Sequence, residues 1–162
     1  ASKAPRPEIH PSLPLDKATE KRMLKAFRKL PGYRNIQKYY KRDGFNSEAP
    51  RWEDYGGGRP EVSVFGEKDE GTRHIFISAN AGLGCGDFFG SFWALWRVDP
   101  SADPVLLSDP KNPGDVGTPS TLVDLNGDKT PEFLGPRTLI QQIGTTHRRT
   151  RDLTAPNFDC GC

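Results

Sequence analysis

Five residues with oxygen-bearing side chains alternate along one short stretch of this sequence. Asp124, Asn126, Asp128, Thr130 and Glu132 occupy positions 1, 3, 5, 7 and 9 of the loop DLNGDKTPE, which has apolar residues on both sides. Alternate residues of a tightly curled loop point at one centre, and calcium prefers six to eight oxygen ligands. Carboxylates crowded in this way repel one another unless a cation lies among them. We therefore predict a calcium site. Position 7 would contribute its carbonyl, and the other four positions would contribute side-chain oxygens.

A second interpretation of the same stretch needs no metal. The letters NGD by themselves favour a tight turn rich in Asx residues between two strands. Five alternating oxygen-bearing positions exceed what such a turn requires, and this excess favours calcium.

The stretch also resembles the calcium loop of the FG-GAP/VCBS type, in which D-x-[DN]-G-D-x-x-x-[DE] joins two strands of a β-propeller blade. The resemblance covers about residues 92–139, and the matching positions are Asp124, Asn126, Gly127, Asp128 and Glu132. Lys129 stands where the family usually has glycine. Gly135 stands where an EF-hand would carry its bidentate glutamate, so the loop is not an EF-hand.

The resemblance concerns the loop more than the whole fold. A propeller typically needs four to eight blades, and no clear repeat of the 124–132 loop occurs in the chain. We therefore expect a single sheet or a small sandwich that carries a propeller-type loop, or a fragment of something longer.

Composition and hydrophobic spacing divide the chain into four segments and predict the α+β class, with basic helices packed on an antiparallel sheet or small sandwich. Residues 1–15 read as an extended Pro-rich arm, 16–51 as a basic helical segment, 52–143 as an antiparallel β region, and 144–162 as a basic, Cys-containing tail. We expect order in the Pro-containing stretch that follows Arg151 only where a disulfide holds it.

The helical segment has clear start and stop signals. Asp16 suits an N-cap, and Pro31-Gly32 predicts the end of the first helix. The apolar residues at helical spacing between them are Met23, Leu24, Phe27 and Leu30. Residues 33–42 form either a second short helix or an irregular segment.

Seven β-type runs separated by turn signals follow Trp52 and predict an antiparallel meander. The runs are Glu61–Phe65, His74–Ala79, Phe92–Val98, Pro104–Ser108, Thr121–Asp124, Glu132–Leu134 and Thr138–Ile143. Residues 92–96 are the most hydrophobic run, so we expect them in the middle of the sheet.

Three cysteines cannot all pair within one chain. Cys160 and Cys162 flank a single glycine, and a bridge between them would be strained. We expect Cys85 to pair with one of the two in an oxidising compartment, which favours a secreted or periplasmic protein. A thiolate metal site is the alternative, but no histidine stands at a suitable spacing.

Charge is distributed unevenly along the chain. Residues 1–51 hold thirteen Lys/Arg against five Asp/Glu, a balance of +8, and residues 52–162 hold ten against sixteen, a balance of −6. Residues 17–42 combine cations with three tyrosines, a composition that can bind nucleic acid or another polyanion. The cations proposed for this role are Lys21, Arg22, Lys25, Arg28, Lys29, Lys38 and Lys41. An amphipathic helix with a solvated basic face is the simpler alternative.

These observations favour a secreted or periplasmic calcium-binding protein that acts as a non-catalytic interaction module, with calcium in a structural role and an unknown protein or acidic polymer as partner. An exported hydrolase that uses His74 with Cys85, or a pair of acids, is the first alternative. A nucleic-acid or polyanion binder acting through residues 17–42 is the second. No apolar run approaches the roughly 18 residues of a membrane span.

Overall fold

The structure is a computed structural model that describes residues 8–10, 12–43, 49–66, 71–82, 88–108, 121–125, 132–134, 138–143 and 146–152. The described residues form two α-helices, one short 3-10 helix and nine strands. In chain order these are β1 (Glu8–His10), α1 (Lys17–Phe27), α2 (Pro31–Asp43), the 3-10 helix (Trp52–Gly57), β2 (Glu61–Phe65), β3 (Arg73–Gly82), β4 (Phe89–Val98), β5 (Val105–Ser108), β6 (Thr121–Asp124), β7 (Glu132–Leu134), β8 (Thr138–Ile143) and β9 (Thr146–Asp152). The predicted α+β class, with helices at the N-terminus, is confirmed.

Helix α1 begins where the sequence predicts and ends at Phe27, four residues before the predicted stop at Pro31. The Asp16 side chain caps it by accepting a hydrogen bond from the Thr19 N–H at 2.9 Å, and the C-cap is Arg28. Met23 and Phe27 are fully buried beneath it. Helix α2 starts at Pro31 itself, because proline has its φ preset for the first helical position and lacks only an N–H that would have no partner there.

The central sheet has the strand order β2-β3-β4-β5, and every neighbouring pair is antiparallel. Strands β3 and β4 pair over ten residues each, from Arg73 opposite Val98 to Gly82 opposite Phe89. Residues 75–79 and 92–96 are buried without a break. Because successive strand residues face opposite sides, both faces of this sheet are covered.

Different elements cover the two faces of the central sheet. On one face, Ile75, Ile77, Phe92 and Trp96 belong to a cluster with helix residues such as Phe27. On the other face, a second cluster joins the central sheet to the second sheet. That cluster comprises Phe65, Phe76, Trp93, Leu95, Leu122 and Phe133.

The second sheet has the order β1-β6-β7-β8-β9 and is also antiparallel. Its two edge strands are β1, which comes from the Pro-rich arm, and β9, which comes from the C-terminal tail. Strand β9 pairs with β8, so the first part of the basic tail is a strand that the sequence did not predict. The Pro-containing stretch after Asp152, where we expect order only from a disulfide, lies outside the described residues. Cys160 and Cys162 lie outside the described residues.

Gly32 in the first turn of α2 lies directly against the ring of buried Phe92. A Cβ added at Gly32 would overlap Phe92 Cε2 and lie 2.9 Å from Cζ. Glycine-to-alanine changes in helices usually stabilise by up to about 1 kcal/mol. Here we expect Gly32→Ala to lower the free energy of unfolding by about 1–3 kcal/mol, because the enclosed ring cannot move aside freely.

Urea denaturation of the full chain measures this effect. Asn35→Ala, at an exposed position of the same helix, is the matched control and should leave stability unchanged or raise it by a few tenths of a kcal/mol, about the difference in helix propensity. A Gly32→Ala variant as stable as the original chain would contradict the close packing.

Candidate functional site

The predicted calcium loop joins strands β6 and β7. These strands pair with Val123 opposite Glu132, so Asp124 and Glu132 stand at the end of the hairpin stem where the loop leaves it. This hairpin brings the backbone positions of the first and last predicted ligands close together. The other three, Asn126, Asp128 and Thr130, lie outside the described residues.

Glu132 is the unusual residue of this stem because its side chain is buried. Only 4% of its surface is exposed, and its Oε2 accepts a hydrogen bond of 2.9 Å from the Leu125 N–H. An ionised carboxylate removed from water requires compensating partners. This hydrogen bond uses part of the accepting capacity of the two oxygens, and carboxylate oxygens are ligands that calcium accepts.

The pairing of β1 with β6 adds a third acidic position at the stem. Glu8 is the register partner of Asp124. The sequence did not indicate this position for Glu8, because it depends on a strand that pairs across more than a hundred residues of chain.

The donor chemistry of the predicted ligands suits calcium. All of them are oxygen donors, the type that a hard cation selects. Within the part of the chain that the structure describes, no group of three or more His, Cys, Asp or Glu side chains could hold a metal ion. Of the three predicted carboxylate ligands, that part includes Asp124 and Glu132.

The proposed pair of His74 and Cys85 is separated by the length of a strand. His74 is at the start of β3, packed with its ring centroid 6.0 Å from that of Phe133. Gly82 is at the other end of β3, about 26 Å away at 3.3 Å per residue. Cys85 lies outside the described residues, but the three residues from Gly82 can span at most about 11 Å. This geometry is unfavourable for His74 as the base of a Cys85 nucleophile.

The predicted polyanion-binding residues are mostly exposed on α1 and α2. Lys21, Arg22, Lys25, Lys29, Lys38 and Lys41 are all exposed, and none of them forms an ion pair within the described part of the chain. Arg28 differs, because it forms an ion pair with Glu53. Tyr33 and Tyr40 are buried in the core, so Tyr39 is the one exposed ring of the three. The binding of polyanions through this surface stays a prediction. Because two of the three tyrosines are buried, such binding would depend on the charges of the lysines and arginines more than on stacking against rings.

The sequence analysis missed a buried polar cluster between the helices and the 3-10 helix. Glu53 is fully buried, and its Oε1 accepts from Arg28 Nε at 2.8 Å and lies 2.7 Å from the second guanidinium nitrogen, Nη2. Arg51 Nε lies 3.7 Å from the same oxygen. The only signal in the sequence is an acid within the aromatic segment WEDY.

Tyr33 completes this cluster. Its burial, followed by the neighbouring charge of Glu53, raises the pKa of the Tyr33 hydroxyl far above its ordinary value. Within the described residues, Tyr33 Oη, Trp52 Nε1 and Glu53 Oε2 are buried without a hydrogen-bond partner. The ion pair joins the end of α1 to the 3-10 helix, which gives the cluster a structural role.

Comparisons of the chain with family models, with curated proteins and with solved structures found no match. Among the described residues, neither helix has the length and apolar character needed to cross a membrane.

Proposed function

We propose that this chain is a secreted or periplasmic calcium-binding protein that acts as a non-catalytic interaction module. The loop from Asp124 to Glu132, of the FG-GAP/VCBS type, would hold the ion. The observation that carries the proposal is the buried carboxylate of Glu132 at the end of the β6–β7 stem. A buried acid beside a loop of alternating oxygen donors is well explained by a cation that shares its charge.

The role of the ion would be structural. Asp124 and Glu132 would contribute carboxylates from the stem, and Asn126, Asp128 and Thr130 would contribute oxygens from the loop. Calcium would cancel the repulsion among these acids and hold the two strands at a constant separation.

The hairpin would also connect the bound ion to the core. Val123 and Phe133, the neighbours of the two stem ligands, are both buried, and Phe133 belongs to the cluster between the two sheets. Ordering the loop would therefore support the packing of the sheets. Because the unfolded chain has no formed site, the free energy of binding would add to the stability of the fold.

The interaction role is inferred from the surface of the helices. The exposed cations of α1 and α2 favour an acidic protein or an acidic polymer as partner, by electrostatic complementarity. Two observations make the hydrolase alternative less attractive than binding. They are the separation of His74 from the end of β3 that precedes Cys85, and the packing of His74 against Phe133.

Calcium should raise the thermal midpoint of the full chain. A hundredfold excess over the dissociation constant adds about 2.7 kcal/mol, which corresponds to roughly 5–10 °C for a chain of this size. Calorimetry in calcium and in chelator measures the shift, and Asp128→Asn should remove most of it, because it replaces the central carboxylate of the loop.

Asp103→Asn is the matched control, because Asp103 is an exposed acid in the connection between β4 and β5. It should leave the calcium shift intact. Equal midpoints in calcium and chelator, or the same shift in Asp128→Asn as in the original chain, would refute the proposal.

A further inference from the structure

A cleft with a volume of about 360 Å³ lies between the start of α1 and the neighbouring ends of β3 and β4. Part of its lining is apolar and includes Leu15, Ile75 and Val98. Ile75 is buried, while Leu15 and Val98 are half-buried. The volume is near the lower limit of small-molecule sites, which range from about 300 to 1,000 Å³. The cleft therefore suits a compact ligand with an apolar portion.

Two arginines from different elements line the same cleft. Arg22 comes from α1 and Arg73 from the start of β3. Both are exposed, and neither forms an ion pair within the described part of the chain. A guanidinium group is a planar fork of donors that matches the two oxygens of a carboxylate. Two such groups beside an apolar surface suit a ligand that has both a carboxylate and a hydrocarbon chain.

The acids of the cleft are already engaged inside the protein. Asp16 Oδ1 accepts from the Thr19 N–H at 2.9 Å. Asp99 Oδ1 accepts from the Thr72 hydroxyl at 2.8 Å, and its Oδ2 lies 3.4 Å from Arg97 Nε. The Arg97 guanidinium offsets the charge of Asp99, whereas the hydrogen bond from Thr19 stabilises the Asp16 carboxylate without removing its charge. Both carboxylates have partners inside the protein, and Arg22 and Arg73 are the lining groups whose donors can bind an anionic ligand.

Gly71 allows two segments at the wall of the cleft to approach each other closely. Its φ of 74° lies in the left-handed region that favours glycine. A Cβ at this position would lie only 2.7 Å from Pro100 Cγ. The absence of a side chain at Gly71 therefore lets the segments that carry Gly71 and Pro100 pack against each other and form this wall.

We propose that this cleft binds a small organic acid with an apolar chain of a few carbons. Arg22 and Arg73 bind the carboxylate, and the chain packs against Ile75 and Val98. The proposal is independent of the calcium loop, which uses other residues in the other sheet.

Isothermal titration calorimetry of the full chain with hexanoate tests this assignment. We expect saturable 1:1 binding of hexanoate that is at least about tenfold weaker in Arg22→Gln and in Arg73→Gln, because each variant loses a charge-assisted hydrogen bond. Arg34→Gln, which removes an exposed arginine of α2 outside the cleft, should bind as the original chain does. Thermal midpoints of all three variants should match that of the original chain, because none of these arginines packs in the core.

Two further probes define the ligand class. Hexylammonium should not bind, and hexanol should bind more weakly than hexanoate. If hexanoate does not saturate the protein, if the two cleft variants bind it as tightly as Arg34→Gln does, or if norleucine binds in preference to hexanoate, the assignment of a simple organic acid is wrong.

Discussion

We expect Glu53→Ala to lower the free energy of unfolding by about 3–5 kcal/mol, because it removes one partner of a buried ion pair. Glu53 is fully buried and Arg28 is 29% exposed, with 2.7 Å between Nη2 and Oε1. Removing the carboxylate leaves the arginine without its partner and opens a space beneath the helices. Urea denaturation of the full chain measures the loss.

Asp54→Ala is the matched control for Glu53. Asp54 also pairs with an arginine, Arg51, at 2.8 Å, but the two side chains are 28% and 47% exposed. A surface pair of this kind contributes about 0–1 kcal/mol. If Glu53→Ala cost no more than Asp54→Ala, the buried pair would not stabilise the contact between the helices and the sheet.

A double replacement separates the packing of this pair from its charge. Arg28→Met with Glu53→Leu fills a similar volume without burying a lone charge, so it should destabilise less than Glu53→Ala alone. A double variant less stable than Glu53→Ala would indicate that the cluster around Tyr33 requires the charges themselves.

Phe133→Ala should lower the free energy of unfolding by about 3–5 kcal/mol through the cavity it leaves between the two sheets. Phe133 is fully buried. Its ring centroid lies 5.7 Å from that of Phe65 and 6.3 Å from that of Phe76. The short β7 strand contributes few other buried groups, so this ring provides much of the contact between the β6–β7 hairpin and the central sheet.

Leu125→Ala is the control for Phe133, because Leu125 lies at the end of β6 in the same hairpin but is 39% exposed. Its replacement should change stability by no more than about 0.5 kcal/mol, as is usual at surface positions. Equal losses at the two positions would mean that the hairpin is not joined to the core through Phe133. Thermal and urea denaturation, followed by tryptophan fluorescence, report on both variants.

Local patterns in the sequence were sufficient for most of the secondary structure. The capping side chain of Asp16 and the spacing of Met23 and Phe27 predict α1 correctly, because capping and amphipathicity act within a few residues. Most of the strands could be predicted in the same way, since runs such as 92–96 combine β-type residues with turn signals at both ends. The calcium ligands proposed between Asp124 and Glu132 are likewise a prediction from residue type and spacing.

Contacts between distant segments could not be obtained from those patterns. Nothing local to Glu8 indicates that it becomes the register partner of Asp124, or that β9 pairs with β8 and orders part of the tail. The Glu53–Arg28 pair joins residues 25 positions apart, and an isolated acid in a sequence does not reveal its burial. The cleft between Arg22 and Arg73 likewise exists only once α1 packs beside the sheet.

The sequence alone therefore determined most of the helices and strands and predicts a calcium loop, because propensity, capping and ligand spacing are properties of neighbouring residues. Only the tertiary structure decided which charges are buried, which arginines share a cleft and which sheet carries the loop. Those outcomes depend on the packing of segments that are far apart in the chain, and packing is set by the sum of many weak contacts that no short stretch of sequence contains.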